Sequence, residues 1–226
     1  RQDDVVRQSG LLEGGNVLYL DVEGVCRSVE ELPYVRACTL RQVFPDTVIL
    51  VEHDPVYTLG KNADENHLLQ SRREDVPTFT VERGGDVTFH GPGQIVGYPI
   101  LDLHDHRLSI SWYMRSLEEM LIRALAEFGI EADRREGLTG VWVEDRKIAS
   151  LGVRLSRWVT MHGFALNVNT DLSYFDGIIP CGIFECGVTS MENILGKKLK
   201  LEVVCNKIKQ TFINVFDEQS PKVETY

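Results

Sequence analysis

Basic residues are in short supply in this chain: 24 Lys and Arg stand against 34 Asp and Glu, a formal net charge of −10. A generic nucleic-acid-binding face is basic where it meets phosphate, and attraction to anionic lipid needs the same sign. The deficit argues against both partners. Long apolar runs are also lacking. The longest span about five to seven residues, Thr47 to Val51 among them, well short of the roughly 18 that cross a bilayer. Cysteine is sparse, five in 226 residues, odd in number and scattered, which excludes a disulfide-held scaffold and points to a reducing compartment. No internal repeat, low-complexity stretch or Pro/Gly/Ser-rich linker divides the chain. The first residues, Arg1-Gln2-Asp3-Asp4, have neither the apolar core of a signal peptide nor a transit peptide's basic amphipathic character. A cytoplasmic protein is expected, with the mitochondrial matrix as the alternative.

What is present is an ordinary globular composition, 43% apolar and 26% charged. We expect one domain over residues 1–226, with an ordered core from about 12 to 216 and a frayed polar tail over 217–226. β-branched and apolar patterning predicts strands at Asn16–Asp21, Asp46–His53, Pro77–Val81, Gln94–Leu103, Gly140–Glu144, Lys147–Leu155 and Phe164–Asn169. Helical spacing appears at Ser28–Phe44, with Pro33 allowed only near its first turn. It recurs at Ser109–Phe128, with Ser109 as N-cap and Gly129 as stop, and at Leu201–Phe216. Strands dominate the middle without regular βαβ alternation, so the fold class is α+β: a mixed β-sheet core with flanking helices.

Three segments have the composition of a site. Arg83-Gly84-Gly85-Asp86-Val87-Thr88-Phe89-His90-Gly91-Pro92-Gly93-Gln94 has the glycine for close ligand approach and polar donors around it. It matches neither a P-loop nor a dinucleotide fingerprint, and a pair of tight turns with a structural His90 is the alternative. Asp145-Arg146 suits a hairpin turn that places Lys147 at the start of a strand, where a lysine is ordinarily a solvated charge. Cys181 lies between Pro180 and Gly182, outside any packed face, and is the least core-like of the five cysteines. Cys26, Cys38 and Cys205 read as small core fillers, with Cys38 on the first helix. Cys181-x4-Cys186 has no second Cys/His pair at zinc-ligand spacing, and His104-x-His106 alone is weak, so no metal is expected. A lone reactive thiol suits nucleophilic acyl transfer, helped by a cation that lowers its pKa. Lys147, His90 and His162 are the candidate neighbours, and the sequence does not rank them.

These segments together resemble the lipoyl(octanoyl) transferase family. The likeness runs through Arg83–Gln94 (RGGDVTFHGPGQ), Lys147–Gly152 (KIASLG), Thr160–Val168 (TMHGFALNV) and Pro180-Cys181-Gly182, with Glu52–Gly60 (EHDPVYTLG) upstream. Phe89 stands where a tyrosine is common and Asp54 where a small or proline residue is frequent. The resemblance covers about residues 12 to 216. It implies a fold shared with the catalytic domains of biotin and lipoate protein ligases. It also implies transfer of an octanoyl group from octanoyl-acyl carrier protein to one lysine of an apo lipoyl domain, without a cofactor. The acceptors would be the lipoyl domains of 2-oxoacid dehydrogenase complexes and glycine cleavage H protein. On that resemblance Cys181 is the acyl-thioester nucleophile and Lys147 its proton carrier. Arg83, Gly84, Gly85, Asp86, Val87, Thr88, Phe89 and His90 line the acyl tunnel, with Ser150, Leu151, Gly152, Gly163, Phe164 and Ala165 as further walls. An ATP-dependent lipoate or biotin protein ligase, which needs no nucleophilic thiol, is the nearest alternative. A non-catalytic acyl-protein binding module is a second.

The charge is uneven along the chain. Residues 1–70 hold 6 basic and 12 acidic groups, whereas 134–157 hold 6 basic and 3 acidic. Arg134, Arg135, Arg154 and Arg157 are therefore expected to form a basic rim where an acidic carrier protein docks.

Overall fold

Residues 47–53 alternate their apolar side chains between two buried environments, and that alternation sets the architecture. In the computed structural model, which describes residues 22–32, 35–42, 47–179 and 187–219, this segment is strand β2 (Thr47–His53). Val48 and Leu50 enter one apolar cluster, whereas Ile49 and Val51 enter another on the opposite face. A strand buried on both faces needs apolar residues at consecutive positions. Its neighbours are β1 (Val35–Gln42) and β6 (Gln94–Ile100), both antiparallel to it. The sheet continues through β10 (Val159–Asn167), β9 (Arg146–Ser156), β8 (Leu138–Val143) and β7 (Asp133–Arg135). A two-residue strand, β11 (Gly187–Val188), pairs in parallel with β9 at Arg146 and Lys147. A second, three-stranded sheet runs β4 (Thr78–Thr80), β3 (Val56–Leu59), β5 (Val87–His90).

One face of the large sheet is covered by two helices that pack on each other, α2 (Ile110–Ala126) and α4 (Leu201–Gln219). Ser109 caps α2 by accepting from the Trp112 N–H, and Gly129 adopts a left-handed φ of 75° just beyond it. Leu117, Leu121 and Leu125 of α2 and Val204, Ile208, Phe212 and Val215 of α4 form the core there. A short helix α3 (Met191–Leu195) stands between β11 and α4. The other face is covered in part by α1 (Val22–Glu30), through Val25, Cys26 and Val29. The smaller sheet has its own cluster, which includes Tyr57, Val87, Phe89 and Phe175.

The expected α+β mixed sheet with flanking helices is what forms. One element is corrected. The helix expected at Ser28–Phe44 is instead the end of α1 followed by β1, so Cys38 lies on a strand. Pairing with β2 along seven residue pairs gives that segment its conformation, and tertiary pairing overrides an ambiguous apolar spacing. The strands at Val56–Leu59 and Val87–His90 add a second sheet that periodicity did not separate from the surrounding turns. The strand expected at 16–21 lies outside the described residues. The tail expected to fray from 217 is corrected at its start, where α4 runs on through 217–219, and 220–226 lies outside the described residues. Among the described residues, no helix is long and apolar enough to cross a membrane.

Candidate functional site: a cleft between the two sheets

The cleft exists because the loop at 83–85 is pinned to both sheets. The Gly84 N–H donates to the Val153 carbonyl on β9 at 2.9 Å, and the Lys61 N–H donates to the Arg83 carbonyl at 2.9 Å. Arg83 is buried, and its Nη2 reaches the backbone and hydroxyl oxygens of Thr58 on β3 at 2.8 and 2.9 Å. This approach requires Gly152, because a Cβ there would lie 2.7 Å from the Gly84 carbonyl oxygen. Asp86 braces the turn: its Oδ1 accepts from the Val87 N–H at 2.7 Å, and its Oδ2 meets His67 Nδ1 at 2.6 Å.

Under the loop lies a narrow cleft, open at its mouth. β5 and its loop form one wall, through Arg83, Gly85, Asp86, Val87, Thr88 and His90. β6 contributes Val96 and Tyr98; β9 contributes Ser150, Leu151 and Gly152; β10 contributes His162, Gly163, Phe164 and Ala165. His162 takes φ 61° inside its strand, a left-handed conformation that is uncommon for a residue with a side chain, and it is fully buried.

Hydrogen bonding settles the state of His90. Asn167 Nδ2 donates to the Thr189 carbonyl at 3.1 Å, so its Oδ1 faces Gln94. Gln94 Nε2 donates to that Oδ1 at 2.9 Å and to the Phe89 carbonyl at 3.2 Å, which leaves Gln94 Oε1 toward His90. His90 Nδ1, 2.8 Å away, must carry the proton and donate it. Burial pushes the His90 pKa down from 6.5 to about 3, helped by His53 and Arg83, opposed by the Gln94 bond, and lowered further by His162. His90 is therefore neutral at physiological pH, with Nε2 as its lone-pair nitrogen. His53, its ring centroid 5.8 Å from that of His90, hydrogen-bonds the Tyr98 hydroxyl through Nε2 at 2.7 Å.

Lys147 is not the solvated charge its turn-adjacent position suggested: it is 5% exposed. Its Nζ stands 4.8 Å from the centroid of the Trp142 ring. It lines a second, wider opening, with Ile110, Met114, Leu138 and Thr139 beside it. The two cavities share Gly85, Asp86, Leu151 and Gly152 as common wall. The Lys147 carbonyl accepts the Thr189 N–H at 3.0 Å, which ties β11 beside it.

Of the residues singled out from sequence, twelve of the fourteen substrate-binding candidates line the first cavity. Gly84 faces the outer openings instead. Phe89 is corrected: it points into the smaller sheet's core, stacked on Tyr174 at 4.4 Å and packed against Phe175. Strand alternation sends it opposite to Thr88 and His90. Cys181 lies outside the described residues, as does Cys186. Burial raises the Cys205 thiol to about 11, and burial together with contact with Cys26 raises Cys38 above its ordinary range, as befits core cysteines. The expected basic rim is corrected too. Arg134 is clasped by Glu118 and Glu119, Arg135 pairs with Asp145, and Arg154 pairs with Glu82. Those three charges are already answered within the chain, and Arg157 is left exposed. Val96 and Tyr98 were not singled out from sequence, although period-two spacing on the predicted strand would have put them on one face.

The comparisons with known proteins agree with this architecture. The lipoyl protein ligase A/B catalytic domain model matches residues 35–213. The chain is similar to lipoate-protein ligase A solved with ATP, at TM-score 0.62 and 15% identity over 87% of this chain and 78% of that one. A putative lipoate protein ligase from T. acidophilum, Ta0514, gives 0.58 and 15% identity over 88% and 77%. At these identities the likeness is one of fold. The chain belongs to the lipoyl protein ligase A/B catalytic domain family.

Within that class, curated relatives narrow the comparison. An octanoyltransferase of Gloeobacter violaceus is 56% identical over 139 residues, 62% of this chain and 62% of its own, so the match spans less than two thirds of that relative. Octanoyltransferases of Synechococcus elongatus (47% identical, 76% of this chain, 74% of that one) and Christiangramia forsetii (51%, 76% and 77%) match more of their length. A POTRA domain model of the FtsQ type also matches residues 1–51. Its overlap with the catalytic model falls on β1 and β2, which hydrogen-bond into the large sheet through β6.

Proposed function

We propose that this chain is an octanoyltransferase of protein lipoylation, acting as one catalytic domain in the cytoplasm. It moves an octanoyl group from octanoyl-acyl carrier protein to a lysine of a lipoyl domain. The observation that carries the reading is the pair of adjoining cavities, one lined in part by Val96, Phe164 and Ala165, the other holding a buried lysine, with Gly85, Asp86, Leu151 and Gly152 lining both. Kinship with octanoyltransferases supplies the acyl group, and lipoyl domains of 2-oxoacid dehydrogenases and glycine cleavage H protein are the acceptors.

In the first half-reaction Lys147 takes the proton of the Cys181 thiol. The thiolate attacks the thioester carbonyl, the carbon–sulfur bond to the carrier breaks, and the departing thiolate receives the proton from Lys147. In the second, the neutral amine of the target lysine attacks the acyl-enzyme. An amide forms, the bond to Cys181 breaks, and the amine's proton passes to Lys147. A thioester is already activated, so no ATP enters. Val96, Phe164 and Ala165 offer the acyl chain an apolar wall in the cleft.

Intact-mass analysis after mixing with octanoyl-acyl carrier protein tests the reading. A covalent octanoyl increment on the wild type that is lost in Cys181→Ala is expected. Full activity of Cys181→Ser with ATP and free acid, and no increment on the wild type, would place the chain with the ATP-dependent ligases instead.

A further inference from the structure

The environment of Lys147 holds a buried carboxylate that the proposed reaction does not use. Glu118 of α2 is 2% exposed, among the most costly places for a carboxylate. Its Oε2 accepts from Arg115 Nη1 at 2.7 Å and Arg134 Nε at 3.2 Å, while Oε1 accepts the Gly140 N–H at 3.2 Å. Gly140 lies where the β7–β8 register shifts, between the pairs Asp133–Trp142 and Arg135–Leu138. Glu118 replaces the ladder with a side-chain acceptor there.

Gly140 is also the seat of the lysine. It takes φ 135°, open in practice to glycine, and a Cβ on it would lie 3.1 Å from Lys147 Cε and 2.9 Å from the Ala149 oxygen. The stem of Lys147 therefore crosses the bare face of Gly140. A bulge completes the arrangement: Val141 pairs with Ala149, but Trp142 pairs with Lys147, which leaves Ile148 as an extra residue on β9. Without that extra residue Lys147 would pair one position later and point to the other face of the sheet. With it, Lys147 lies on the same face as Trp142, and its ammonium stands 4.8 Å from the centroid of that ring.

We infer that Glu118 is a positioning residue for Lys147, acting through Gly140: it anchors the backbone on which the lysine stem rests and so sets where Nζ stands. This inference rests on the reading of Lys147 as the proton carrier. A misplacement of about 1 Å at a reacting group costs up to roughly a hundredfold in rate. Glu118 touches no substrate, so its loss is expected in turnover and not in binding of the acyl donor.

The test is a double-variant cycle in steady-state turnover of octanoyl-acyl carrier protein, with melting temperature measured on each protein. Glu118→Ala is expected to lower kcat roughly ten- to hundredfold with the donor KM unchanged. Glu118→Gln, which keeps an oxygen for the Gly140 N–H, should recover most of it. Added to Lys147→Met, Glu118→Ala should lower the residual rate no further, because its effect passes through the lysine. Should Glu118→Ala not fold, Gly140→Ala is measured in the same cycle with the same expectation. Multiplicative losses in the double variant, or an unchanged kcat in the single, overturn the positioning role. Full turnover by Lys147→Met would instead refute the role of the lysine itself, a result the cycle reads separately.

Discussion

His90 makes the stability of this enzyme depend on pH in a calculable way. In the folded chain its pKa is pushed down to about 3, whereas in the unfolded chain it returns to the ordinary 6.5. Between those values the unfolded state binds a proton that the folded state refuses. The contribution of His90 is therefore fully retained above pH 6.5 and is lost progressively as pH falls toward 3. At pH 5 the unfolded histidine is almost wholly protonated, and the imbalance amounts to about 2 kcal/mol. Other groups titrate in the same range, so the assay compares wild type with His90→Gln, which can still donate to Gln94 but does not titrate. Urea unfolding followed by far-ultraviolet circular dichroism at about pH 7.5 and pH 5 should show the wild type losing about 2 kcal/mol more than the variant. At a slope of about 2 kcal/mol per molar, that is a midpoint displacement of about 1 M urea. Parallel behaviour of the two proteins would refute the burial argument. A variant that lost stability faster with acid than the wild type would do the same.

Further outcomes follow from the cleft. Lys147→Met should lower octanoyl transfer by roughly 10²- to 10⁴-fold in a gel-shift assay of lipoyl-domain acylation, the range expected for a lost acid–base group. Gly152→Ala should push the Gly84 carbonyl off β9 and raise the donor KM, because a Cβ there lies 2.7 Å from that oxygen; an unchanged KM would show that the loop does not wall the cleft. Replacing the octanoyl donor with hexanoyl removes two methylenes, so kcat/KM should fall about 15-fold at about 0.8 kcal/mol each. Phe89→Ala, by contrast, should cost about 3–5 kcal/mol in denaturant unfolding, since its ring fills the smaller sheet's core and leaves the cleft walls in place.

Much of this was legible in the sequence where one periodicity dominated. α2 and α4 carry an apolar stripe, α2 with a cap and a stop beside it, and their spans match expectation closely. The β2 and β6 segments were legible for the complementary reason, since apolar runs too short for a helix read as strands buried on both faces. The helix expected at Ser28–Phe44 failed because apolar residues three and four apart also satisfy an edge strand once β2 is there to pair with it. Among the cleft residues, the glycine-dense loop and KIASLG were visible as unusual composition, while Val96 and Tyr98 hid within an ordinary strand pattern.

The residues of one strand or one helix, and the chemical types gathered in each motif, are matters of local pattern, and the amino-acid sequence determined them alone. Which side chains face one another was decided by tertiary structure. Phe89 and His90 are neighbours in sequence yet enter different environments, a packed aromatic core and a cleft wall. Of the four arginines that summed to a basic segment, three became ion pairs when α2, the β8–β9 turn and the β4–β5 loop brought acidic partners to them. Lys147 was a surface charge by its turn and became a buried one through a single extra residue in β9, a glycine with room for its stem and a carboxylate on α2 that holds that glycine's N–H. Burial and register are properties of paired segments, and a linear pattern does not contain the pairing.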